Sequence, residues 1–82
     1  MKHAREDYQQ IQDPHMKIPE GEPVFLIRGQ DKAGPMAVQV WATLAEAYGA
    51  DKNIVSAARR QAKQMLRWQL DKGSKVPDLP GA

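Results

Sequence analysis

Between residues 35 and 48 nearly every position is apolar. Met36, Val38, Val40, Trp41, Leu44 and Tyr48 are interleaved with alanines at 37, 42, 45 and 47. At 100° per residue the polar side chains Gln39, Thr43 and Glu46 fall within about 60° of one another, leaving an apolar arc of about 240°. A helix lying on one core needs a stripe of only about 100° or somewhat more. This helix therefore demands cover on at least two sides. Gly34-Pro35 suits its start, because proline at the first helical position gives up an N–H that has no partner there, and Gly34 is the expected N-cap. Gly49 suits its end as a left-handed stop.

From Lys52 to Lys72 the pattern is amphipathic. Asp51 is placed to cap the first turn and Gly73 to close the last. Val55, Ala58, Ala62, Met65 and Leu66 gather on one side, with Ile54 at the edge. Lys52, Arg59, Arg60, Lys63 and Arg67 gather opposite them within about 100°. The last turn departs from this division, with Gln69 on the apolar side and Leu70 on the basic one. Trp68 falls roughly 40° beyond Ile54, outside both clusters. Two helices, about 35–48 and 52–72, with so short a connection predict an antiparallel helical hairpin and a mostly α fold.

Upstream, Val24-Phe25-Leu26-Ile27-Arg28 is the one strongly β-prone stretch. A lone strand leaves its own backbone groups unpaired. It must pair with a copy of itself, pair with the N-terminal segment, or lie as an extended strap over the helices; pairing across a dimer is the preferred expectation. Lys17–Glu22 reads as a turn-rich connector containing Pro19 and Gly21. Residues 3–12 favour helix by composition, but only Tyr8 and Ile11 share an apolar side, so they read as a loosely ordered arm or as a short helix docking on a partner chain. The expected organisation is a polar arm at 1–22, a helical-hairpin domain at 23–73 and a flexible tail at 74–82.

Length sharpens the question of cover. A chain of 82 residues buries only about 60% of its unfolded surface, and domains of this size usually need disulfides, a metal or oligomerisation. Cysteine is absent and the two histidines, His3 and His15, lie in the polar arm. That excludes disulfides and thiolate zinc sites, and no metal or cofactor is expected. Trp41, Leu44 and Tyr48 would then form either a monomer core or, as preferred, the centre of a homo-oligomer. The expected interface comprises Val38, Trp41, Leu44, Tyr48, Phe25 and Trp68.

Charge is unevenly spread. Residues 1–22 carry Lys2, Arg5 and Lys17 against Glu6, Asp7, Asp13, Glu20 and Glu22. Residues 51–75 carry seven cations (Lys52, Arg59, Arg60, Lys63, Arg67, Lys72 and Lys75) against Asp51 and Asp71. Arg59, Lys63 and Arg67 recur at four-residue spacing, where like charges repel by about 0.2–0.5 kcal/mol per pair. The stripe is either a solvated face or a surface for an anionic partner. A second candidate is the helix entrance, where Arg28, Gln30 and Lys32 precede Gly34-Pro35 and free N–H groups would favour an anion. Alternatively, Asp31 and Gln30 satisfy the local backbone there.

No phosphate-binding loop and no dinucleotide fingerprint is present. Serine occurs only at 56 and 74 and threonine only at 43, and the carboxylates are too scattered for an acid–base pair. Catalysis is therefore not expected. No apolar targeting or membrane-spanning segment is apparent, which fits a soluble cytoplasmic protein.

The run Lys17-Ile18-Pro19-Glu20-Gly21-Glu22-Pro23-Val24-Phe25-Leu26-Ile27-Arg28-Gly29-Gln30-Asp31-Lys32, followed by the helix bearing Trp41 and Ala42, resembles short accessory proteins encoded by phages and prophages. The resemblance covers about residues 17–70 and implies action in the bacterial host cytoplasm, for example against a defence system. The expected function is a non-enzymatic binding protein that sequesters an anionic ligand such as a nucleotide or blocks a host protein. The alternative is a small nucleic-acid-binding regulator using the basic face of the second helix.

Overall fold

The computed structural model describes Lys2, His3 and residues 13–78. The chain divides into two compact units, Met1–Ile27 with Asp78–Ala82, and Arg28–Pro77. The expected helix at 3–12, with Tyr8 and Ile11, lies outside the described residues apart from His3.

In the first unit, β1 (Lys2–His3) and β2 (Pro23–Val24) form a two-stranded parallel sheet, with Lys2 opposite Pro23 and His3 opposite Val24. The strand is shorter than the expected 24–28, and within this chain it pairs with the N-terminal segment, not with a copy of itself. The described ladder comprises these two pairs, so strand geometry is assigned to Pro23 and Val24 and not to Phe25, Leu26 and Ile27. Before β2, the Asp13 carboxylate accepts from the N–H groups of Lys17 and Ile18, both at 3.1 Å, and holds the Asp13–Ile18 turn. Within that turn Met16 takes φ +51°, a left-handed conformation uncommon outside glycine.

The second unit is the hairpin. Helix α1 (Gly34–Ala47) starts one residue before its expected first turn, with Ala33 at the N-cap position. No side chain caps it there; instead the Asp31 carboxylate accepts from the Ala33 N–H at 2.8 Å and the Asp31 carbonyl from the Gly34 N–H at 2.9 Å. Gly49, at φ +84°, ends the helix as its sequence position predicts. Asp51 then caps α2 (Lys52–Lys72) by accepting from the Asn53 N–H at 2.7 Å, and Gly73, at φ +94°, closes it.

The two helices pack along a narrow seam. Ala42 and Ala62 are fully buried, with Val55 at 2% and Met65 at 6% exposure. No large side chain is fully buried among the described residues. On α1, buried Ala42 shares an arc with half-buried Val38 and Ala45. Thus α1 turns its small residues toward α2, and alanine at such positions favours close approach of helix axes. Its bulky residues point elsewhere.

A strap, Arg28–Lys32, which turns at Gly29-Gln30 with the Asp31 N–H donating to the Arg28 carbonyl at 3.1 Å, is tied to this hairpin from two sides. Lys75 donates its N–H to the Gln30 carbonyl at 2.7 Å and accepts from the Lys32 N–H at 2.9 Å, forming an isolated parallel bridge between Asp31 and Lys75. Residues 74–77 therefore belong with the hairpin and do not trail from it as the expected tail. From the other side, the Gln69 side-chain amide donates to the carbonyls of Gly29, at 3.0 Å, and Asp31, at 2.8 Å. A polar residue on the apolar side of α2 thus satisfies two strap carbonyls. Gln69→Ala should cost about 1 kcal/mol, because the part-buried Gly29 carbonyl loses its donor while the Asp31 carbonyl keeps the Gly34 N–H. A lowered urea midpoint with an unchanged slope would register this loss.

Candidate functional site

The outward arc of α1 is apolar without interruption. Met36, Ala37, Val40, Trp41, Leu44, Ala47 and Tyr48 share an arc of about 140°, with no charged side chain inside it. Exposure is 70% for Met36, 49% for Val40, 50% for Trp41, 53% for Leu44 and 89% for Tyr48. Five large apolar side chains on one helix face are thus half-exposed or more, or nearly so, and contiguous exposed apolar surface marks interaction sites more often than scattered single residues do. Ala37, Trp41, Leu44 and Tyr48 also follow the 4-3-4 spacing of a coiled-coil seam. The arc is thus a continuous apolar face that α2 does not cover.

Of the expected interface residues, Trp41, Leu44 and Tyr48 lie on this arc. Val38 does not, being half-buried on the Ala42 side. Met36 and Val40, missing from the expected set, are on it. Their signal was available in the i, i+4, i+8 spacing from Met36 through Val40 to Leu44. Phe25 is 67% exposed and belongs to the other unit, whereas Trp68, 51% exposed, stands on α2.

The basic stripe on α2 is partly neutralised by its neighbour. The Arg59 guanidinium meets both carboxylate oxygens of Glu46 on α1, at 3.3 and 3.4 Å. The side chains are 39% and 63% exposed, so solvent screens the pair and it stabilises by at most about 1 kcal/mol. Arg60, Lys63 and Arg67 are exposed and form no ion pair among the described residues. Glu46→Gln should therefore change stability by less than about 1 kcal/mol while releasing Arg59 to the stripe. Thermal melts check the first part, and tighter retention on a phosphocellulose column the second.

At the helix entrance, Asp31 already accepts from the Ala33 and Gly34 N–H groups, and Gly34 and Pro35 are buried. Those two donors are engaged. Arg28 and Gln30 instead border a groove of about 310 Å³ between the strap and α2, together with Gln61, Gln64, Met65 and Trp68. Lys32 does not line it. A second hollow of about 710 Å³ adjoins it, bordered by Gln64, Arg67, Trp68, Leu70 and Asp71. Trp68 and Gln64 border both. Three of the seven expected contact residues, Arg28, Gln30 and Arg67, are thus gathered around Trp68, whereas Arg59 is paired with Glu46.

Among the described residues no group of histidine, cysteine, aspartate or glutamate side chains is arranged to hold a metal ion, and no helix is long and apolar enough to cross a membrane. No protein-family model, curated protein or solved structure matches the chain.

Proposed function

We propose that this chain is a non-enzymatic binding protein that works as a homo-oligomer assembled through α1. The observation carrying the proposal is the uncovered apolar arc from Met36 to Tyr48, 49–89% exposed at its five large side chains. A second copy of the same chain supplies an equally apolar, equally long helix face. A two-fold axis would bring one arc against the other as a self-complementary contact. Assembly would also supply what the small seam around Val55 and Met65 lacks, since two side chains of that size contribute at most about 1.5–3 kcal/mol each on burial.

The bound partner in this reading is an anionic small molecule of the nucleotide kind or a host protein. Arg28 and Gln30 on the strap, Arg67 on α2, and Arg60 and Lys63, which form no ion pair among the described residues, support an anionic ligand. The resemblance of residues 17–70 to phage accessory proteins supports a role in countering a host pathway inside the bacterial cytoplasm. Native mass spectrometry of the protein taken directly from cells tests both parts at once. A multiple of the chain mass carrying a retained small ligand is the expected result; a bare single subunit is the contrary one.

A specific observation also favours a second reading, a nucleic-acid-binding regulator. Arg60, Lys63 and Arg67 form an exposed row, and each phosphate neutralised should steepen the fall of affinity with salt. Duplex DNA binding that weakens by at least about tenfold between 50 and 200 mM salt would favour this reading. Absence of binding at the lower salt would dismiss it.

A further inference from the structure

We propose that the groove between the strap and α2 takes the base of a nucleotide, stacked on Trp68, with Arg28 holding the phosphate. This deepens the ligand reading above and rests on it, but it places the contact at residues that the basic stripe does not include.

The groove is built from unusually base-like chemistry. Gln30, Gln61 and Gln64 border it, and each carboxamide offers one carbonyl acceptor and two N–H donors. That is the complement of a nucleobase edge, which presents donors and acceptors side by side. Trp68 is half exposed, so part of its indole is available as a stacking surface. Arg28 is exposed, and among the described residues no carboxylate borders this groove to compete for it. The adjoining hollow does contain a carboxylate, Asp71, which lies 3.8 Å from the Lys72 ammonium. The phosphate is therefore assigned to the Arg28 side.

Both walls are held in place before any ligand arrives. Gln69 fixes the Gly29 and Asp31 carbonyls, and Lys75 fixes Gln30 and Lys32. The strap runs close to the indole at Gly29, where a Cβ would sit 4.0 Å from Trp68 Cγ and 3.9 Å from Met65 Cγ. Those are ordinary van der Waals distances, so the strap backbone passes alongside Met65 and Trp68 with room for one methyl group. A groove of about 310 Å³ is at the small end of ordinary ligand pockets, suited to a base and sugar with the phosphate at its rim.

The arrangement also separates three ligand types. A nucleoside would keep the stacking and amide contacts but lose Arg28. Inorganic phosphate would keep only Arg28. An oligonucleotide would bind with the same base contact, and added phosphates would deepen its salt dependence.

The test is isothermal titration calorimetry with AMP, UMP, adenosine, the oligonucleotide dA8 and inorganic phosphate. AMP or UMP should bind saturably, adenosine roughly tenfold more weakly and phosphate not measurably. If dA8 binds at least about tenfold more tightly than AMP at low salt, a strand is the source of the base; otherwise a free nucleotide is. Trp68→Leu, which keeps apolar bulk but removes the flat ring, should weaken AMP roughly tenfold or more, whereas Trp68→Phe should retain most of the affinity. Arg28→Ala should weaken AMP and leave adenosine unchanged. Thermal melts of each variant check that the hairpin persists. The proposal falls if neither AMP nor UMP binds the wild-type protein, or if a folded Trp68→Leu variant binds AMP as the wild type does. In the second case an anion-binding protein remains and only the groove is lost. If native mass spectrometry also finds no anionic ligand, the ligand reading fails as well.

Discussion

If α1 assembles as proposed, replacing Leu44 with glutamate should turn the oligomer into a folded monomer. Leu44 lies at the centre of the outward arc of α1 and is 53% exposed in the single chain. Glutamate is a good helix former, so the hairpin itself should tolerate the change with a stability shift of under about 0.5 kcal/mol. In the assembly the same carboxylate would be enclosed against an apolar face and near its own symmetry mate. Burying an unpaired charge there should weaken association by at least about 3 kcal/mol, roughly a hundredfold in dissociation constant. Light scattering behind a sizing column reads the loss of mass directly, and circular dichroism checks that the helices remain. An unchanged oligomer would show that the arc is not the interface. A variant that unfolds at all concentrations would show that Leu44 belongs to an intramolecular core instead.

Ala62→Leu should be the most damaging single change to the hairpin. Ala62 is completely buried on the inward face of α2, as Ala42 is on α1. Three added carbons at such a seam force the helices apart or push side chains off their rotamers. Overpacking of this kind costs about 1–3 kcal/mol, and for a domain of this size each kcal/mol lowers the melting midpoint by about 4–8 °C. A fall of about 10–20 °C is expected, since the seam has few other buried side chains to absorb the strain. Ala47→Leu is the control, because Ala47 is exposed on the opposite arc. It should leave the monomer's stability within about 0.5 kcal/mol. Equal melting midpoints for the two variants would mean that the small residues of the two helices do not define their contact.

The helix boundaries were legible because their punctuation is chemical. Pro35, Gly49, Asp51 and Gly73 each do locally what their residue type dictates, whatever the tertiary context. Which arc of α1 faces inward was not legible. A helix apolar over two-thirds of its circumference contains no period that separates its buried arc from its exposed one, and the structure turns the small residues inward. Val38 was consequently expected at the interface and lies on the inner side, whereas Met36 and Val40 face outward. The β-prone run failed for a different reason. Propensity describes what a residue tolerates, but a strand also needs a partner, and the described pairing joins Pro23 and Val24 to Lys2 and His3.

The candidate ligand site was read only in fragments. A wheel drawn for α2 alone shows Arg59 in a clean basic stripe, but it cannot show Glu46 reaching across from α1. Gln69 registered as a flaw in the amphipathic pattern because its hydrogen-bond partners are 38 and 40 residues away in sequence. Gln61 and Gln64 drew no notice, being neither charged nor apolar. They gain meaning beside Trp68 once the strap closes the other side.

Sedimentation equilibrium across a range from about 1 to 100 µM tests the central claim most directly. Association of the α1 arcs predicts an apparent mass at the top of that range of at least twice the chain's own, falling toward a single subunit on dilution if exchange is reversible. A mass of one chain at every concentration, with the helices intact, would contradict it. The bulky side chains of α1 would then have to be covered by something other than a second copy.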